Sequence, residues 1–372
     1  MNGTVLIAGA GLAGARTAET LRALGWTGRI VLAGDEPHAP YERPALSKEL
    51  LAGTRLDVEL RPAAFWAEQE IELVTGRRVQ LVDAERRTAL VGDETVAWDS
   101  LVIATGARAR LLDGPRGVHH LRTLDDARTL AAELSPETRL VVVGAGFIGG
   151  EVATTLFDSV GSVTVVDPLP VPLERIVGPE VGALLARRYG DFGIDLRLGV
   201  GVAGFSGGDR VTAVRLSDGT ELPADVVVVG IGAVPQGLGE PGAVEVDACG
   251  RTDVPDVYAA GDVAAWWRPS LGRRLRVEHW TSAAGQARAV AAAIAGDPQP
   301  YDDAPYFWSD QLGLRLQHVG HAEDWHDVAV AGDESGFTAR YVDREGRLLA
   351  ALSANRPAEV AGFRRELALA AA

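Results

Sequence analysis

One short pattern occurs twice, and it limits the fold more than anything else in the chain. Thr4-Val5-Leu6-Ile7-Ala8 runs into Gly9-x-Gly11-x-x-Gly14, and Leu140-Val141-Val142-Val143 runs into Gly144-x-Gly146-x-x-Gly149. Each copy reads as an apolar strand, a glycine turn and a helix. In such a turn the first glycine permits the sharp bend. The second lets a pyrophosphate approach the backbone, and the third lets the helix pack close to the strand with its N-terminal N–H groups facing the phosphates. A nucleotide ribose needs an acceptor about 20 residues further on. The strand Ile30–Ala33 ends near Asp35-Glu36, with Asp35 the expected acceptor, and Val163–Val166 ends in Asp167.

A single glycine fingerprint is weak; two, each with strand, helix and acid in place, point to two dinucleotides in one chain. That is the arrangement of a flavoprotein that takes hydride from a nicotinamide. The remaining composition agrees. A chain of 372 residues has material for two or three domains, and 44 glycines suit an α/β protein with many tight turns. A net charge of −15 argues against a nucleic-acid partner. The longest apolar runs, Val226–Val229 and Ala289–Ala295, are far shorter than the roughly 20 residues that span a bilayer. No basic region precedes the first strand, so a signal peptide is not expected, and a cytoplasmic location is. Cys249 is the single cysteine, which excludes an internal disulfide and any CxxC redox pair. Lys48 is the single lysine in a chain that otherwise uses arginine for positive charge.

In chain order, helix Leu12–Leu24 follows the first turn. The proline-rich stretch Pro37–Leu50 reads as a loop leading into a short helix from Ser47. Strands are expected at Ile71–Val74, Val79–Val82, Thr88–Val91 and Thr95–Trp98, and a buried strand runs over Ser100–Ile103 into Ala104-Thr105-Gly106. Helix Thr123–Leu134 hands over to the second unit, which continues through helix Gly178–Tyr189 and strands near Ile194–Leu198 and Val211–Leu216, closing at Val226–Gly232. The chain then returns to the first domain at Val257–Asp262 and helix Thr281–Ala295. The expected architecture is α/β: two Rossmann-like, glutathione-reductase-like domains plus a small C-terminal α+β domain. The first domain is discontinuous, 1–110 with 233–300; the second covers 111–232 and the last 301–372.

Further motifs sharpen this. Arg43-Pro44-Ala45-Leu46-Ser47-Lys48, Ala104-Thr105-Gly106-Ala107, Tyr258-Ala259-Ala260-Gly261-Asp262, Val277-Glu278-His279-Trp280 and Tyr306-Phe307-Trp308-Ser309-Asp310-Gln311 accompany the two fingerprints. With them the chain resembles the FAD-dependent NAD(P)H–ferredoxin reductases that serve Rieske dioxygenases and bacterial cytochromes P450, over almost its whole length. It is similar more distantly to apoptosis-inducing factor and rubredoxin reductase. The resemblance implies FAD held by Gly9, Gly11, Leu12, Ala13, Gly14, Asp35, Val79, Ala104, Thr105, Gly106, Gly261 and Asp262. Arg43 and Arg110 would neutralise its pyrophosphate. Glu278, His279 and Trp280 would lie where a helix N-terminus favours the anionic reduced flavin. Lys48 would sit beside the hydride-accepting N5, paired with Glu151, and Trp308 would flank the ring near the ferredoxin side. NADH would be held by Gly144, Gly146, Phe147, Ile148, Gly149, Glu151, Asp167, Arg175 and Gly232. Three positions depart from the family pattern: Ala45, where a second proline is common; Gly150, where a larger residue is usual; and Asp167, where Glu is frequent.

The function implied is electron transfer from NADH through FAD, one electron at a time, to a [2Fe–2S] or similar small ferredoxin that feeds an oxygenase. The protein would be a monomer or weak dimer, with no metal, nucleic-acid or membrane partner. Two alternatives stand beside it. An NADH oxidase would need a redox-active cysteine beside the flavin, and Tyr41–Lys48 has none. An NADH-sensing signalling flavoprotein like apoptosis-inducing factor would bind both nucleotides without fast turnover. The basic run Arg268-x-x-x-x-Arg273-Arg274-x-Arg276 is expected to be the patch that receives an acidic ferredoxin, with Arg344 and Arg347 as second choice.

Overall fold

The computed structural model describes residues 2–239 and 241–370, which divide into two compact units. One comprises 1–42, 58–108 and 234–305; the other comprises 43–57, 109–233 and 306–372.

The first unit is built on a parallel sheet in the order Val257–Ala259, Ser100–Ile103, Val5–Ala8, Ile30–Ala33, Ile71–Val74. Val5, Leu6, Ile7 and Ala8 have no exposed surface, as expected of a central parallel strand covered on both faces. Helices Leu12–Ala23 and Trp280–Ile294 belong to this unit and pack against each other through small residues. Two three-stranded sheets complete it: Val79–Asp83, Thr88–Val91 and Glu94–Ala97, and Val244–Val246, Ala264–Arg268 and Arg273–Leu275.

The second unit repeats the plan. Its parallel sheet runs Asp195–Leu198, Ser162–Asp167, Arg139–Val143, Val226–Val229, Val118–His120, and helix Phe147–Leu156 follows the central strand. An antiparallel meander, Val202–Gly207, Val211–Leu216 and Glu221–Pro223, lies beside it. The C-terminal part is a five-stranded antiparallel sheet in the order Tyr306–Gln311, Leu314–Gly320, Leu348–Ala354, Gly336–Val342, Asp327–Asp333, with helix Pro357–Ala370 against its middle strands. Leu173, Val177, Val181 and Leu185 share one buried cluster with Leu314, Leu316, Phe337 and Leu352, so this sheet and the long helix Glu174–Phe192 pack together.

Two expected elements form differently. No helix starts at Ser47. Arg43–Ala45 is a 3-10 turn, and Leu46 and Lys48 donate only three residues back, to Arg43 and Ala45, so the segment winds through tight turns. The helix expected over Gly178–Tyr189 extends to Glu174–Phe192 but breaks at Gly178, whose φ is +76°. Pro179 forbids the helical conformation in the residue before it, and Tyr341 Oη donates to the freed Val177 carbonyl at 2.9 Å.

Asp225 ties the feet of two central strands together. Its carboxylate accepts from Arg139 N, Nε and Nη2 at 2.9, 2.9 and 2.6 Å. The Arg139 side-chain hydrogen bonds hold its pKa down to about 2. A depressed folded value means the stabilisation is present above the unfolded carboxyl's value of about 3.9 and is lost as pH falls toward 2. Asp225→Asn is therefore expected to lower Tm at pH 7, and thermal melts should show its gap from wild type closing between about pH 4 and pH 2.

Candidate functional site: two glycine turns and a lysine–carboxylate cluster

The two turns are built alike. Gly9 has φ +119°, and a Cβ on it would lie 2.2 Å from the Ala104 carbonyl oxygen; Gly144 has φ +106°, and its Cβ would lie 2.4 Å from the Gly230 oxygen. Only glycine allows either contact. A Cβ on Gly14 or Gly149 would meet the carbonyl of its own turn's first glycine at 2.0 and 1.9 Å. The middle glycines differ in kind. Above Gly11 there is open space, and above Gly146 the nearest atom is 3.9 Å away. No side chain caps the helix at Gly11 or Gly146. Each turn thus presents an open cradle at an uncapped helix N-terminus, which suits a pyrophosphate.

The first unit contains most residues expected at FAD. Leu12 and Ala13 open the helix. Ala104 contributes the carbonyl against Gly9, and the Thr105 hydroxyl donates to the Gln236 carbonyl. Gly106 has φ +70° and accepts from Gln236 N at 2.9 Å. Gly261, at φ +84°, brings the segment before Asp262 against the first helix, where its Cβ would meet that of Ala13 at 3.0 Å. Its N–H is held by the buried Gln286 Oε1 at 2.8 Å. Helix Trp280–Ile294 begins with His279 as its N-cap and Glu278 just outside. Val79 is a buried residue that starts its strand. Asp35 lies exposed just past its strand. Its neighbour Glu36 accepts from Tyr41 Oη at 2.6 Å.

The second unit contains the other expected residues. Asp167 sits at the second turn itself: Oδ2 accepts from Ala145 N at 2.7 Å and Oδ1 from Leu169 N at 2.8 Å. Phe147 and Ile148 start the helix, and Gly232 has φ +101° with open space above it. Arg175 is exposed in the first turn of its helix. Arg43 Nη1 donates to the Arg122 carbonyl at 2.6 Å, and Arg110 N to the Gly232 carbonyl at 2.9 Å. The Trp308 ring stacks with Tyr306 at 6.4 Å and lies 6.0 Å from the Arg315 guanidinium.

Lys48 and Glu151 meet as expected, Nζ to Oε2 at 2.6 Å, with side chains 14% and 4% exposed. A buried carboxylate needs further donors, and residues without an assigned role supply them. Ser47 Oγ reaches Oε2 at 2.5 Å and Ser309 Oγ reaches Oε1 at 2.7 Å. Both lie inside quoted motifs. Strand alternation, which turns Ser309 to the face opposite Trp308, was the available signal.

The basic run is not a patch. Arg268 is 2% exposed and bound to Asp302 at 2.8 Å, Arg274 pairs with Glu245 at 3.3 Å, and Arg276 with Glu278 at 2.8 Å. The second choice fares no better at Arg347, which pairs with Asp343 at 2.7 Å. Glu278 and Asp343 stand beside their arginines in the sequence, whereas Asp302 and Glu245 come from distant segments that spacing alone could not bring to the run. Trp266 is fully buried and its neighbour Trp267 is 36% exposed.

Comparison with known proteins decides the lineage. Residues 3–287 match the model described as pyridine nucleotide-disulphide oxidoreductase, and residues 306–372 match the one described as reductase C-terminal. The chain belongs to the pyridine nucleotide-disulphide oxidoreductase family. It is 40% identical to the 5,5′-dehydrodivanillate O-demethylase ferredoxin reductase subunit of Sphingobium sp., covering 94% of this chain and 90% of that one. It is 40% identical to the ferredoxin reductase component of chlorobenzene dioxygenase from Cupriavidus sp., covering 96% and 90%. Among solved structures, a putidaredoxin reductase in covalent complex with putidaredoxin superposes with a TM-score of 0.93 at 35% identity, covering 98% and 92%. This family member is accordingly an oxidoreductase with FAD and NAD(H) as cofactors. Its single cysteine, Cys249, cannot form the internal disulphide that the family's name refers to. Among the described residues no helix is long and apolar enough to cross a membrane.

The glycine geometry separates folding from binding. Gly9→Ala is expected to abolish soluble folded protein, because its Cβ collides with backbone. Gly11→Ala should leave the Tm of the FAD-free protein within a degree or two. A methyl group in the cradle should nevertheless weaken FAD retention by an order of magnitude, about 1.4 kcal/mol. Calorimetry of the FAD-free protein and fluorescence of released FAD check both.

Proposed function

We propose that this chain is the reductase of an oxygenase system, drawing electrons from NADH and passing them singly to an acidic [2Fe–2S] ferredoxin. The observation that carries the reading is one chain with two open glycine cradles, a buried lysine–carboxylate pair and a reductase C-terminal sheet. FAD, when bound, supplies the chemistry: it accepts two electrons as hydride and releases them one at a time. The protein binds, orients and sets charge. Residues of the first turn hold FAD, with Asp35 at its ribose and Arg43 and Arg110 at its phosphates. Lys48, fixed by Glu151, carries positive charge to the hydride-accepting end of the flavin, and the N-terminus of helix Trp280–Ile294 favours negative charge at the other. Trp308 stands on the ferredoxin side. The reductase works in the cytoplasm as a monomer or weak dimer.

Asp167 supports NADH over NADPH. Its two backbone hydrogen bonds hold the carboxylate at the cradle, where it would accept from a ribose 2′-hydroxyl and repel a 2′-phosphate. A repulsion of about 1.4–2.7 kcal/mol corresponds to one to two orders of magnitude in kcat/KM. Equal efficiency with both nucleotides contradicts this assignment.

Two measurements test the function. NADH should reduce a [2Fe–2S] ferredoxin over many turnovers in the presence of this protein. Binding of NADH without turnover would favour the signalling alternative. Lys48→Ala should retain FAD while stopped-flow reduction by NADH slows at least tenfold; a wild-type rate would show the lysine to be structural.

A further inference from the structure

Glu151 stands at the centre of a hydrogen-bonded chain that extends beyond its lysine. Besides Glu151 and Lys48, the side chains of Ser47, Ser309 and Gln311 take part, and all lie within the second unit. Ser47 Oγ and Lys48 Nζ share Oε2, at 2.5 and 2.6 Å. Among the described residues Oε1 is met by Ser309 Oγ alone, at 2.7 Å. Behind Ser309, Gln311 Nε2 donates to Oγ at 3.0 Å. A serine hydroxyl has one proton. Because Gln311 fills an acceptor position on Oγ, that proton is directed at Glu151. Ser309 and Gln311 are 0% and 2% exposed, Glu151 3%, so no solvent competes for these bonds.

The adjacent glycine fits the same design. A Cβ on Gly150 would lie 1.9 Å from Gln311 Oε1 and 3.0 Å from Tyr189 Oη. A side chain at position 150 would have to displace Gln311. Gly150 and Glu151 are consecutive on one helix, Ser309 and Gln311 alternate on one strand, and the four interlock. The same strand carries Trp308 on its other face.

We propose that Ser309, oriented by Gln311 in the space Gly150 leaves, is a positioning residue that fixes Glu151 and through it the ammonium of Lys48. Ser47 secures the other carboxylate oxygen. The reductase C-terminal segment thereby sets the geometry of the single lysine. The consequence for catalysis rests on the reading of Lys48 given above; the positioning itself does not.

The single lysine makes the test clean. Protein labelled with 15N-lysine gives one side-chain ammonium signal in the FAD-loaded full chain, and its proton exchange with water reports how firmly Lys48 is held. Removing a hydrogen bond to a charged group is expected to cost enough to raise that exchange about tenfold in Ser309→Ala. Gly150→Ala, which displaces Gln311, should raise it as well. Ser309→Thr, which keeps the hydroxyl, should restore wild-type exchange. Thr154→Val is the control for general loosening. The Thr154 hydroxyl donates to the Gly150 carbonyl at 2.7 Å and accepts from Leu312 N at 2.9 Å, so it joins the same helix to the residue after this strand through backbone groups and bonds neither Glu151 nor Ser309. Its exchange should match wild type. In Ser309→Ala the rate of FAD reduction should also fall while the KM for NADH stays unchanged. Wild-type exchange in Ser309→Ala, or an equal rise in Thr154→Val, overturns the proposal. Lys48→Ala reduced at the wild-type rate would instead overturn the catalytic role of the lysine and leave the positioning standing.

Discussion

The whole arrangement depends on two places where backbone passes backbone with no room for a side chain. At Gly9 the chain runs against the Ala104 carbonyl, and at Gly144 against the Gly230 carbonyl, so close that a methyl group would stand 2.2 and 2.4 Å from the oxygen. These contacts fix where each central strand ends relative to its parallel neighbour. They bring the helix that follows close beneath the sheet and leave the cradle at Gly11 and Gly146 open. A carbonyl–Cα approach of this kind cannot be replaced by a better side chain, because it is defined by the absence of one. The two open cradles are therefore consequences of how each sheet is assembled.

Much of this was legible because parallel strands buried on both faces read as unbroken apolar runs. Val5–Ala8, Ile30–Ala33, Ser100–Ile103 and Val226–Val229 are such runs, and glycine turns mark their ends. The antiparallel strand Asp327–Asp333 gave little signal, since it is an edge strand with most of its residues exposed. The segment after Pro44 was ambiguous for a different reason. Its residues suit a helix, and only the hydrogen bonds of the folded chain show it winding through tight turns.

For the site, local spacing revealed the turns, and resemblance supplied the pairing of Lys48 with Glu151, residues over 100 apart in sequence. Neither assigned Ser309 a role. Its contact with Glu151 spans 158 residues, and a serine in a strand has no pattern of its own. The basic run from Arg268 to Arg276 shows the opposite failure. Its charge density is plain in sequence, yet Asp302, Glu245 and Glu278 neutralise three of its arginines. One-dimensional charge is a poor guide to surface potential when carboxylates arrive from distant segments.

Two equal cradles in one chain make a claim about occupancy that needs no turnover to check. The direct measurement is a binding stoichiometry on the full chain, by calorimetric titration of the yellow protein with NAD⁺ and analysis of the nucleotides released afterwards by acid. The account predicts one FAD per chain, retained throughout, and one NAD⁺ bound as well without displacing FAD. Displacement of FAD by NAD⁺, or two FAD per chain, would contradict it.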